Sequence, residues 1–175
     1  MSKEDLERAI RQVPDFPSPG ILFFDILPLL KDRVHFANLT RELASFANSI
    51  DVVAGIEARG LILGSAVALE LGKGFVPLRK KGKLPGATFQ ESYGLEYGSD
   101  TLEIQDGVLS SSDRVLLIDD VLATGGTLVA GVKLIQQCGA IVESVAVALE
   151  IADLPGRQKF TSEFPDISLK TLFLK

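Results

Sequence analysis

Hydrophobic positions in this chain follow two periodicities that alternate along its length. Four short runs are apolar almost without interruption: DVVAGI (51–56), GFVPL (74–78), VLLI (115–118) and VAVAL (145–149). None alternates with polar residues, so each predicts a strand covered on both faces, as in a parallel sheet. Around these runs the spacing becomes helical. Leu6 and Ile10 predict a short helix, capped by Ser2 and Asp5, through about Gln12. Phe36, Leu39, Leu43, Phe46 and Ile50 predict another that ends near Ser49. The Gly-spaced LILGSAVALELG predicts a helix capped by Gly72, and Leu128, Val132 and Ile135 predict one that ends at Gly139. The tail ISLKTLFL alternates and predicts an edge strand. Strand, polar turn and helix in repeated order imply an α/β fold: a parallel twisted sheet flanked by helices, with right-handed crossovers.

Two stretches break this rhythm. VPDFPSPGILFFDILPLL (13–30) holds Pro14, Pro17 and Pro19, which exclude regular helix, among Phe16, Ile21, Leu22, Phe23 and Phe24. Such a segment either plugs a core or covers a flat ligand. The second break runs from Arg79 to Gln105. Four of its first five residues are cationic, Gly82, Gly86, Gly94 and Gly98 keep the remainder flexible, and Thr101 to Ile104 suggest a return to strand. A long excursion in a compact domain is usually functional or disordered. A solvated basic loop and a mobile loop that captures a highly charged anion both fit.

Parallel sheets place ligands at the carboxyl ends of their strands. The run Val115–Ile118 ends there in Asp119 and Asp120, adjacent carboxylates that are costly to bury unless a hydroxyl-bearing or cationic ligand satisfies them. Ala123, Thr124, Gly125, Gly126 and Thr127 follow and open the next helix. Small side chains let consecutive N–H groups converge there, and a helix N-terminus favours an anion by about 0.3–1 kcal/mol. A tight turn with threonine as N-cap is the plainer reading. The run 51–56 ends in Glu57, Ala58 and Arg59, a second turn on the same sheet edge. Arginine at a helix N-terminus opposes the dipole, so Arg59 is either in a surface salt bridge or shared with a second anion.

Bulk properties remove several classes. With 175 residues the chain forms one ordinary domain. A formal charge of −5 and a pI near 4.9 argue against nucleic-acid binding, which demands a basic footprint. Cys138 is the sole cysteine and is read as inert packing; His35 is the sole histidine and is read as a solvent-facing helix residue, which leaves zinc sites and Ser-His-Asp triads without support. No run approaches eighteen apolar residues and MSKEDLERAI lacks an apolar core, so the chain is expected to be cytoplasmic, with no membrane partner. Neither G-x-x-x-x-G-K-[ST] nor G-x-G-x-x-G occurs.

VLLIDDVLATGGT, Val115 to Thr127, resembles the signature of the type I phosphoribosyltransferases, which use 5-phosphoribosyl 1-pyrophosphate (PRPP). The stretch from Phe16 to Asp25 is similar to F-P-x-P-G-[VI]-x-F-x-D, and RKKGKLPG and SYGLEYG are similar to the lid strings of the adenine-specific branch of that family. The resemblance spans Phe16 to about Arg157. It implies the type I phosphoribosyltransferase fold in a single domain over 1–175, with a small hood at about 1–30, a flexible catalytic lid at 79–105 and the PRPP motif at 115–127. Asp119 and Asp120 would face the ribose hydroxyls, and residues 123–127 would wrap the 5′-phosphate. Glu57, Ala58, Arg59, Arg79, Lys80, Lys83 and Tyr97 would form the pyrophosphate site, around a turn that often holds a cis peptide. Glu96 and Arg59 would be catalytic, with Glu96 handling a proton of the base.

Leu22 and Phe24 would line the adenine pocket; Phe24 stands where arginine is usual, so a main-chain contact survives there and a guanidinium contact does not. Ile151 either packs on the purine or belongs to the core. The implied reaction is adenine + PRPP giving AMP + pyrophosphate in purine salvage, with Mg²⁺ carried by PRPP, no metal cage in the protein, and a homodimer with some lid cations crossing the interface. Transfer to xanthine or hypoxanthine, or a PRPP-binding regulatory module without turnover, are the alternatives.

Overall fold

The computed structural model describes residues 3–95 and 98–175, and the chain divides into two compact units, Met1–Glu42 and Leu43–Lys175. The first unit begins with α1 (Lys3–Arg8), β1 (Arg11–Pro14), β2 (Leu22–Asp25) and α2 (Leu27–Lys31), then enters α3 (Arg33–Ala44). The first helix stops short of Gln12 because residues 11–14 pair antiparallel with β2, Arg11 opposite Asp25 and Pro14 opposite Leu22. A proline-rich turn closes this hairpin. Asp15 accepts the Gly20 N–H at 2.7 Å, the Phe16–Pro17 peptide is cis, and the Phe16 ring meets Phe23 edge-on at 5.1 Å. Buried Asp25 pairs with Arg11 and accepts the Leu27 N–H at 2.9 Å, which fixes where α2 starts. Leu6, Ile10, Ile26, Leu29 and Leu39 are buried, whereas Phe16, Ile21 and Leu22 of the proline-rich run are exposed, so that run does not plug a core.

The α3 helix ends at Ala44, before the predicted Ser49. Turn bonds Phe46 N–H to Leu43 O and Ala47 N–H to Ala44 O replace helical ones, and Arg114 Nε donates to Ser49 O at 2.8 Å, drawing this segment to the sheet. Next come β3 (Val52–Ile56), α4 (Arg59–Leu71), β4 (Gly74–Lys80), β5 (Thr88–Leu95), β6 (Gly98–Gln105), β7 (Arg114–Leu122), α5 (Gly126–Gln137), β8 (Ile141–Glu150), α6 (Gly156–Glu163) and β9 (Ser168–Leu174). They form a seven-stranded sheet ordered β5-β6-β4-β3-β7-β8-β9. The five strands from β4 to β9 in that order are parallel; β6 runs antiparallel to β4 and β5 to β6.

The predicted parallel α/β core is therefore present, and β3 and β7 lie side by side at its centre, with Val52 opposite Val115. Both strands are covered on both faces, since Val53, Ala54, Leu116 and Leu117 are all fully buried. Gly131 lets α5 approach closely: a Cβ there would lie 3.0 Å from both Ile56 Cδ1 and Leu117 Cδ2. Two features differ from the sequence-based expectation. The excursion after Arg79 is mostly a hairpin that widens the sheet, with Leu102 and Ile104 fully buried between polar neighbours. The α6 helix carries a single large apolar residue, Phe160, too little for a periodic signal, yet Phe160 is fully buried. Among the described residues no helix is long and apolar enough to cross a membrane.

Candidate active site

Adjacent parallel strands bring two turns to one sheet edge. The β7 strand delivers Asp119 and Asp120, only 5% and 6% exposed. Asp119 Oδ1 accepts the Asp120 N–H at 2.8 Å, and Arg59, the first residue of α4, places Nε 2.6 Å from Asp120 Oδ2. Burial, followed by the charge of Asp120, pushes the Asp119 carboxyl well above the ordinary carboxylate range. Burial also raises Asp120, against the opposing pull of Arg59. Gly60 permits this meeting of α4 and β7, because a Cβ there would lie 2.8 Å from Ile118 O and 2.9 Å from Asp119 Oδ1. The cationic side chain of Arg59 is thus drawn onto the acids across the edge, which accounts for its place at a helix start.

Beyond the acids the chain turns through residues 123–125 into α5. Gly125 is the N-cap, in the left-handed region at φ 82°, and no side chain caps the helix. The threonine N-cap is therefore not formed, and the first-turn N–H groups have no intrahelical acceptor. Glycine is required twice over at Gly125, since a Cβ would also sit 2.7 Å from Gly156 O. At Gly126 a Cβ would come 3.3 Å from Gly94 O and 3.5 Å from Tyr93 Cδ2, so the β5 strand lies directly on this loop.

The turn after β3 holds the basic segment. The Glu57–Ala58 peptide is cis, and Glu57 Oε2 accepts both Arg79 Nε at 2.9 Å and the Lys80 N–H at 2.8 Å. Arg79, the Lys80 N–H and the nearby Lys83 charge hold the Glu57 carboxyl below its usual range. Glu57 thus positions cations as well as belonging to the turn. Buried Glu103 anchors the next residues, accepting the Gly82 N–H at 2.9 Å and Gln90 Nε2 at 2.9 Å. The uncapped start of α5, the buried acid pair with Arg59, and the basic segment held by Glu57 therefore lie at the carboxyl ends of neighbouring parallel strands.

Comparison with known proteins shows the family. The profile of the phosphoribosyl transferase domain matches residues 30–170. The chain belongs to the phosphoribosyl transferase family. An adenine phosphoribosyltransferase of Acidobacterium capsulatum is 50% identical over 171 residues, covering 97% of this chain and 92% of that protein. The crystal structure of adenine phosphoribosyltransferase from Thermoanaerobacter pseudethanolicus superposes with a TM-score of 0.93 at 41% identity, over 99% of this chain and 100% of that one. The Saccharomyces cerevisiae adenine phosphoribosyltransferase, complexed with adenine and an imino-altritol bisphosphate, gives 0.89 at 38% identity, over 98% of each chain.

Within this phosphoribosyltransferase domain Ile151 is half-buried at the end of β8, its N–H donating to Leu122 O at 3.0 Å. Neighbouring Glu150, 7% exposed, is clamped by Arg157 at 2.7 and 2.5 Å and by the Thr171 hydroxyl at 2.7 Å. Leu22, exposed, and Phe24, half-buried, lie on β2 of the first unit. Glu96 and Tyr97 lie outside the described residues. His35 is half-buried beside Asp32 at 3.4 Å rather than fully solvent-facing, and Cys138 is half-buried at the end of α5. Sequence reasoning missed Glu103, Asp100 and the Glu150–Arg157 clamp. Asp100 falls opposite Tyr93 in the hairpin, and a strand assignment for 88–95 would have exposed that pairing.

Proposed function

We propose that this chain transfers the 5-phosphoribosyl group of PRPP to adenine, yielding AMP and pyrophosphate. The observation that carries this is the meeting of the uncapped α5 start, the Asp119–Asp120 pair and the Arg59 and Arg79–Lys83 cations on one sheet edge. PRPP has a matching sequence of groups: a 5′-phosphate, a ribose diol and a 1-pyrophosphate. Ala123 to Thr127 cradle the first, Asp119 and Asp120 accept hydrogen bonds from the second, and Arg59, Arg79, Lys80 and Lys83, set by Glu57 and Ala58, take the third together with Tyr97. Adenine as acceptor is supported by the relatives named above. Leu22, Phe24 and Ile151 are the residues we assign to it.

In the reaction the base nitrogen forms its bond to the anomeric carbon as the bond from that carbon to the pyrophosphate oxygen breaks. Positive charge develops on the ribose while negative charge gathers on the leaving group. The chain's part is to fix both ends of the sugar, set cations against the leaving oxygens and exclude water. Glu96 exchanges a proton with the imidazole ring of the purine. A magnesium ion fits this site as a passenger on pyrophosphate. Among the described residues no cluster of three or more His, Cys, Asp or Glu forms a metal cage, yet Asp119 and Asp120 supply the hard oxygens that would share such an ion. When bound it supplies neutralising charge for the leaving group.

We further read the enzyme as a cytoplasmic homodimer. Ile62 and Leu69, 43% and 82% exposed on α4, form an apolar stripe suited to a second copy. The free thiol of Cys138 suits a reducing compartment. A pyrophosphate-release assay over a panel of purines and pyrimidines tests the reaction: release with adenine well above hypoxanthine, xanthine and orotate is expected, and equal or absent release refutes it.

A further inference from the structure

Tyr93 and Asp100 face each other across the β5–β6 hairpin, and together they connect two parts of the site that lie on separate strands. At one end Asp100 Oδ2 is 2.7 Å from Lys80 Nζ, while the Lys80 N–H is fixed on Glu57 at 2.8 Å. At the other end the Tyr93 hydroxyl donates to the same Asp100 oxygen at 3.3 Å and interacts with the Thr127 hydroxyl. The Tyr93 ring lies over Gly126, at a spacing that a methyl group would reduce to 3.5 Å. Tyr93, Asp100 and Lys80 therefore form a polar chain to the pyrophosphate cations whose other end, the Tyr93 ring, packs on Gly126 of the phosphate loop. Burial, with Asp100 next, pushes the Tyr93 hydroxyl up, so it stays a donor; Lys80 holds the Asp100 carboxyl below its usual range, so it stays an acceptor.

We propose that Tyr93 and Asp100 are positioning residues that couple the 5′-phosphate cradle to the pyrophosphate lysine. The inference rests on the substrate reading above. Its physical basis is shared ordering. A ligand in the cradle orders Thr127 and Gly126, these seat Tyr93, and Tyr93 with Asp100 settles the ammonium of Lys80. A second ligand at the pyrophosphate end then meets groups whose ordering entropy has already been lost. Hydrogen bonds in such a chain also polarise one another, which ties its two ends together further.

The experiment uses two fragments of PRPP. Calorimetry measures the Kd of magnesium pyrophosphate with and without saturating ribose 5-phosphate, for the wild type, Tyr93→Phe and Asp100→Asn. In the wild type, ribose 5-phosphate should tighten pyrophosphate binding by roughly fivefold or more. In each variant the ratio should fall to within about twofold of unity, even where Tyr93→Phe leaves the Tm unchanged. A merely structural role would weaken both affinities and leave their ratio intact. Wild type that binds both fragments without coupling, or coupling that survives in both variants, overturns the inference alone. Wild type that binds neither fragment overturns the substrate reading and this inference with it.

Discussion

Replacing Asp119 by asparagine separates the stability of this site from its use. The amide side chain would keep an Oδ1 acceptor for the Asp120 N–H, now bonded at 2.8 Å, and would leave the Arg59–Asp120 pair in place. It would remove one of two neighbouring buried charges. Because the folded-state pKa of Asp119 lies above its unfolded value, the folded chain holds that proton more tightly than the unfolded chain. Above the raised value the ionised carboxylate therefore destabilises the fold. Asp119→Asn should raise stability at neutral pH by about 0.5–2 kcal/mol, which for a chain of this size corresponds to a Tm higher by roughly 1–8 °C.

The gain should be greatest at neutral pH, shrink as pH falls through the raised value and vanish near pH ~4, where ordinary carboxylates protonate. Catalysis should move the other way. Loss of one charge-assisted hydrogen bond to a ribose hydroxyl costs about 1.5–3 kcal/mol, or roughly 10–100-fold in kcat/KM for PRPP. The KM for adenine should change far less. Scanning calorimetry from pH 4 to 8 and steady-state kinetics with each substrate varied provide the two readouts. A lower Tm at pH 7, or equal losses for PRPP and adenine, would refute the reasoning. Asp120→Asn is the informative contrast: it also removes the ion pair between Arg59 and Asp120, so its stability gain should be smaller.

Three other outcomes are expected. Gly125→Ala forces a side chain into φ 82° and sets its methyl 2.7 Å from Gly156 O; it should destabilise the protein by about 1–3 kcal/mol in urea titrations and abolish PRPP turnover. Arg157→Met removes the main cause of the lowered Glu150 pKa, so it should cost about 1–2 kcal/mol at pH 7, after allowance for solvent at the partly exposed guanidinium. That cost should fade as pH drops through the lowered Glu150 value, because the wild-type pair loses its own contribution there; a pH-independent penalty would assign the effect to packing instead. Glu96→Gln should lower kcat and alter its pH profile, and unchanged turnover at every pH would remove Glu96 from proton transfer.

The parallel core was legible because burial on both faces leaves little latitude in composition: VVAGI and VLLI admit few alternatives to central strands. Gly72 was legible as a stop because its left-handed φ of 64° suits glycine. The turn into α5 was legible for the same reason at Gly125, whose φ is 82°. Less could be read where structure is decided by distant partners. Residues 11–14 carry no strand signal of their own and extend because 22–25 lie opposite. The hairpin after Arg79 hides its alternation, since Gln90, Ser92 and Glu103 turn to polar partners while Leu102 and Ile104 fill the core. The family resemblance implied Lys80 as a cation for pyrophosphate, but nothing in the sequence named Asp100 as its holder, because that pairing exists only once β6 returns beside β4.

The two acids on this sheet edge are buried at a cost that the fold alone does not offset. A buried carboxylate pair destabilises the fold when ionised, and the guanidinium of Arg59 makes its ion pair with Asp120; Asp119 instead takes a main-chain N–H. The fold itself gains little from Asp119 that asparagine would not supply. On the proposed reading an aspartate here serves a ligand whose hydroxyls bind a carboxylate better than an amide, as the ribose diol of PRPP would. The same logic separates Glu57 and Glu103 from this pair: both are satisfied by cations, amides or main-chain N–H groups of the basic segment. Their substitution should therefore lower stability and PRPP affinity together, whereas substitution of Asp119 should move the two in opposite directions.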